Sequence, residues 1–83
     1  MDPALDPVQV AMLTLRIPRI STDANGREYN NARIMRRALA SIGEEAFREL
    51  VYMQWRENEI DGLPRSTAAA FQAKLNAARG GAR

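Results

Sequence analysis

From Arg27 to Asp61 the chain contains no Pro and a single Gly, Gly43, which falls near the middle of that stretch. This spacing constrains the fold most. Each half is long enough for a helix of three to five turns, and a glycine between two periodic segments stands where a helix C-cap belongs. Before Gly43, Tyr29, Ala32, Met35, Ala38, Leu39 and Ile42 recur at helical spacing, which predicts a helix over 27–42. After it, Glu44 and Glu45 suit a helix N-terminus, and the pattern predicts a helix over 44–60.

The flanks are weaker. Asp6-Pro7 reads as an N-cap followed by Pro at the first helical position. Val8, Ala11, Met12 and Leu15 then share a helical face, whereas Leu13, Leu15 and Ile17 alternate as in a strand. Pro18 ends either element. The reading adopted is a short helix over 7–16, then an extended run. Ser21 to Gly26 is a turn by composition. Pro64 opens a fourth helix with Ala68, Phe71, Leu75 and Ala78 on one face, ending at Gly80-Gly81. Residues 1–5 and 80–83 are expected to fray.

The expected fold is therefore all-α: one domain over 1–83, a compact bundle of three to four short helices around a central third helix. The 83 residues include no Cys and no His. No disulfide or thiolate site staples so small a core, and the commonest general base and metal ligand is missing. Ser21, Ser41, Ser66 and Lys74 have no evident base, and the acids of the third helix read as a solvated stripe. We expect no enzyme, cofactor or metal site. The run Val8–Ile17 is too short to cross a bilayer. Met1-Asp2-Pro3-Ala4 places no positive charge before an apolar stretch, so a cytoplasmic location is expected.

Two binding surfaces emerge. Stepping the third helix at 100° per residue from Phe47 gives a wide apolar sector, with Phe47, Leu50, Val51, Met53 and Trp55 facing Met35, Leu39, Ile42, Phe71 and Leu75. Ala68, Ala69, Ala70 and Ala73 are expected to let the fourth helix approach closely. Tyr52 is left outside, flanked by Arg48 and Arg56. Tyr and Arg are enriched in interface hot spots, so Arg48, Tyr52 and Arg56 form the candidate protein-binding surface of an inhibitor or adaptor of a larger complex. A homodimer also fits.

The second surface is basic. Net charge runs +2 to Gly43, −3 over 44–60 and +3 from Asp61 onward. Asn30, Arg33, Arg36 and Arg37 on the second helix, with Arg65, Ser66, Thr67 and Lys74 beyond the third, form a candidate nucleic-acid surface. Gly62-Leu63-Pro64-Arg65-Ser66-Thr67 resembles the turn and recognition-helix start of helix-turn-helix regulators of the IclR family. The resemblance covers six residues of the 83. It implies a helix-turn-helix-like element over 44–79, with Arg65, Ser66 and Thr67 facing DNA. Asn58 departs from that pattern, which has a small residue four positions before the Gly. The order Asn30-Asn31, basic helix, Gly43, long helix and Leu63-Pro64 is also similar to the helical C-terminal region of some plasmid and phage primases. Both surfaces assume that Trp55 is buried.

Overall fold

The computed structural model of the chain describes residues 5–80. The expected fraying of 1–5 and 80–83 falls largely outside these residues. Four helices follow one another: α1 (Pro7–Leu15), α2 (Asn31–Ile42), α3 (Glu44–Asp61) and α4 (Ala68–Gly80). A two-stranded antiparallel hairpin, β1 (Ile20–Thr22) and β2 (Glu28–Asn30), lies between α1 and α2. The fold is a small, mostly helical bundle. Helix α3 packs against α1, α2 and α4, and α2 also touches α1 and α4, so α3 is central as the sequence indicates.

Local chemistry sets each boundary. Asp6 caps α1, its carboxylate accepting from the Val8 N–H at 3.0 Å. The helix ends at Arg16, a non-glycine residue at φ 56°, where the Ile17 N–H reaches back to the Met12 carbonyl at 2.9 Å. Ile17 is buried beyond this cap, so the turn delivers an apolar side chain to the core. The helical reading of Val8 to Leu15 therefore holds over the strand reading.

Helix α2 begins four residues later than its periodicity suggests. The Asn30 side chain accepts from the Arg33 N–H at 3.1 Å and fixes the start at Asn31. Tyr29, expected on the buried face of α2, instead lies in β2 and is exposed. Asn31 joins hairpin to helix. Its buried Nδ2 donates to the Pro18 carbonyl at 2.8 Å and to Ser21 Oγ at 2.7 Å.

Gly43 alone connects α2 to α3. Its φ of 86° and ψ of 162° lie in a region that only glycine occupies readily, rather than in the left-handed helical region expected of a cap. The resulting corner lets both helices cover one core. That core comprises Val8, Ala11, Met12, Leu15, Ile17, Met35, Ala38, Phe47, Leu50, Val51, Ala68, Phe71 and Leu75. Phe47 and Phe71 meet edge to face at its centre, with centroids 5.5 Å apart. Leu39 and Ile42 pack at its margin.

The fourth helix also starts later than expected, at Ala68 rather than near Pro64. Ser66 holds the preceding segment extended: its N–H donates to the Leu15 carbonyl at 2.8 Å, and Thr67 Oγ1 then accepts from the Ala70 N–H at 3.0 Å. Only Ala68 of the alanine series is buried; Ala69, Ala70, Ala73 and Ala78 are exposed. Phe71 and Leu75 carry the α4 contact instead.

Candidate functional site

The buried arc of α3 runs through Phe47, Leu50, Val51, Gln54 and Asn58. Two of these are polar, and they satisfy each other. Gln54 Nε2 donates to Asn58 Oδ1 at 3.0 Å, and Asn58 Nδ2 donates to Ser66 Oγ at 2.6 Å. Among the described residues no buried side-chain polar atom lacks a partner. In a satisfied network of this kind the internal hydrogen bonds offset the cost of removing the polar groups from water.

This arc displaces residues expected in the core. Trp55 is 39% exposed, and Met53 and Ile60 also lie open; Tyr52, expected outside the core, is 56% exposed. The expectation of a buried Trp55 is therefore wrong, which removes the shared basis of both expected surfaces. The physical reason is rotational. Gln54 and Asn58 share the core side with Phe47, so Trp55 falls at the edge of the buried arc.

A different face replaces the narrow strip around Tyr52. The Tyr52 and Trp55 rings stack, with centroids 6.0 Å apart and planes inclined at 30°. They form one lip of a groove between α1 and α3, with a volume of about 430 Å³. Phe47 and Val51 line it from α3, Val10, Ala11 and Thr14 line it from α1, and Leu5 and Pro7 close the end near the start of α1. Of the three residues expected to bind protein, Arg48 and Tyr52 line this groove and Arg56 does not. Arg56 sits about 40° further round the helix from Tyr52. Arg48 is paired with Glu44 at 3.2 Å, so its charge is partly answered and its stem walls the groove. Trp55 is the residue that sequence reasoning misplaced; the polar Gln54 and Asn58, spaced i, i+4 beside it, were the available signal.

The expected nucleic-acid residues are dispersed among structural duties. Ser66 is buried and bonded to Asn58 and Leu15, so it offers nothing to a duplex, and its assignment to DNA contact is corrected. Thr67 and Asn30 cap helices. Arg36 is paired with Asp6 at 2.7 Å, and Lys74 with Glu57. Arg33, Arg37 and Arg65 are exposed and make no salt bridge among the described residues. The connection from α3 to α4 is Gly62–Thr67, six residues, against the three or four of a helix-turn-helix. Asn58, the departure from the IclR pattern, proves to be the centre of the buried network.

The chain has no match among known protein families, curated proteins or solved structures. Among the described residues, no group of three or more acids is placed to hold a metal ion, and no helix is long and apolar enough to cross a membrane.

Proposed function

We propose that this protein is a small non-enzymatic binding module that captures a segment of another protein in the groove between α1 and α3. The observation that carries the reading is the stacked pair Tyr52–Trp55, open to solvent at the lip of an apolar groove. Aromatic side chains dominate binding hot spots because they bury large area at small entropic cost. The groove has the form that receives an apolar anchor from a partner's helix or extended segment. Arg48 borders it and adds a donor at the rim. An inhibitor or adaptor of a larger complex works in this way, by occupying a surface without chemistry.

The test uses capture from the source cells with nuclease treatment, identification of the bound protein, and titration of that purified protein. The variant Tyr52→Ala with Trp55→Ala is expected to weaken binding by about a hundredfold or more, since two hot-spot truncations each cost about 2 kcal/mol or more. Arg56→Ala, outside the groove, should leave affinity within about threefold. Both variants are expected to keep native helicity, measured by circular dichroism. Equal affinity of the double variant and the native chain refutes the groove as the binding surface.

A further inference from the structure

The chain has five asparagines, and four of them are held in place. Asn30 caps α2, Asn31 and Asn58 are buried and hydrogen-bonded, and Asn76 lies inside α4. Asn25 differs. It is exposed at the tip of the hairpin, and among the described residues its side-chain amide makes no hydrogen bond. The next residue is Gly26, at φ 80°. No atom beyond its chain neighbours lies within 4 Å of where a Cβ on Gly26 would stand, so the flank of its backbone nitrogen is open. The strands on either side are three residues each, and a hairpin this short opens at small cost.

We infer that Asn25-Gly26 is a site of self-modification, where the chain releases ammonia and residue 25 becomes aspartate or isoaspartate. The Gly26 backbone nitrogen attacks Cγ of Asn25, an intramolecular step favoured by proximity. The new N–Cγ bond closes a succinimide ring, the Cγ–Nδ2 bond breaks, and the Gly26 amide proton leaves with the ammonia. Water then opens the ring. Breaking the new N–Cγ bond gives aspartate; breaking the original peptide bond gives isoaspartate, with the chain running through Cβ. Ammonia is lost, water is consumed, and nothing is oxidised or reduced.

The position gives this reaction a structural consequence. The turn is tied across residue 25 by the Gly26 N–H on the Asp23 carbonyl and the Asp23 N–H on the Arg27 carbonyl, both at 3.0 Å. The Arg27 N–H adds a bond to the Asp23 carboxylate at 2.9 Å. Isoaspartate lengthens the backbone by a methylene inside these bonds, and either product sets a second carboxylate near Asp23. The hairpin therefore unlatches once and does not relatch. Asn25 and Gly26 do not line the α1–α3 groove, so this inference goes beyond the binding reading and stands apart from it.

Ageing the purified chain in mildly alkaline buffer, followed by tryptic mapping and NMR, tests it. Cleavage after Arg19 and Arg27 releases residues 20–27, where Asn25 is the only side-chain amide. That peptide is expected to gain the mass difference between water and ammonia and to split into two chromatographic forms. The peptide of residues 28–33, which carries Asn30 and Asn31, is expected to stay unmodified. The Tyr29 and Thr22 resonances should leave their native positions in proportion to the converted fraction, while those of Phe47 and Phe71 stay. Asn25→Gln should react at least about tenfold more slowly, because its longer side chain closes a larger ring less readily. Its hairpin should remain native on ageing. A 20–27 peptide that is unchanged, or that reacts no faster than 28–33, overturns the inference. So does conversion without displacement of Tyr29, or an equal drift of the hairpin in aged Asn25→Gln. None of these outcomes bears on the loss of partner binding in the Tyr52 and Trp55 double variant.

Discussion

Asn58 decides where the tryptophan points. Its side chain accepts from Gln54 and donates to Ser66, and Ser66 in turn bonds the end of α1. Three elements thus meet at one buried amide. Replacing it with Ala leaves the Gln54 amide and the Ser66 hydroxyl without partners and opens a small void. Asn58→Ala is expected to lose about 1–3 kcal/mol in a urea unfolding experiment. A loss within about 0.5 kcal/mol, typical of a surface site, contradicts the network. The same residue explains why the sequence misled. A wheel scored by apolarity assigns Trp55 to the core and Asn58 to water, because it cannot see that Asn58 and Gln54 satisfy each other one turn apart.

At the level of elements, helix periodicity was readable and strand pairing was not. Pro7, Gly43 and Asp61-Gly62 punctuate the chain strongly enough to mark α1, α2 and α3 within a few residues. The hairpin is only three residues per strand, paired from Ile20↔Asn30 to Thr22↔Glu28, too short for a visible alternation. Its loop holds it together. Asp23 accepts from the Asn25 and Arg27 N–H groups at 2.9 Å and from the Tyr29 hydroxyl at 3.0 Å. The Arg27 N–H bond first, then those from Tyr29 and Asn25, hold the Asp23 carboxyl below its ordinary value. At Asp6 the Arg36 side chain does the same, aided by the Val8 N–H. Both shifts are downward, so both groups bind protons more readily when unfolded. Their contribution is present above the ordinary carboxylate range and is lost as pH falls through the lowered values. The Tyr29 and Thr22 resonances are therefore expected to lose their native positions in acid before those of Phe47 and Phe71. In Asp23→Asn the hairpin's acid dependence should be blunted. Hairpin and core signals collapsing together, unchanged by Asp23→Asn, contradict this assignment.

For the molecule as a whole, charge is distributed so that one face carries little of it beyond Arg48. Ion pairs Asp6–Arg36 and Glu57–Lys74 bridge separate segments of the chain, while Glu44–Arg48 lies within α3. Cations that looked like a nucleic-acid surface are partly consumed in these pairs, a consequence of folding that no run of residues displays. What remains apolar and open is the α1–α3 face, from Leu13 across Val10 to Tyr52 and Trp55. Trp55 is the sole tryptophan, so its fluorescence reports on this face alone. The most direct measurement is acrylamide quenching of Trp55 in the free chain and with its purified partner bound. Ready quenching in the folded free chain, followed by a blue shift and protection in the complex, is the expected result. A tryptophan already shielded in the free chain, or one equally accessible when the partner is bound, contradicts the account.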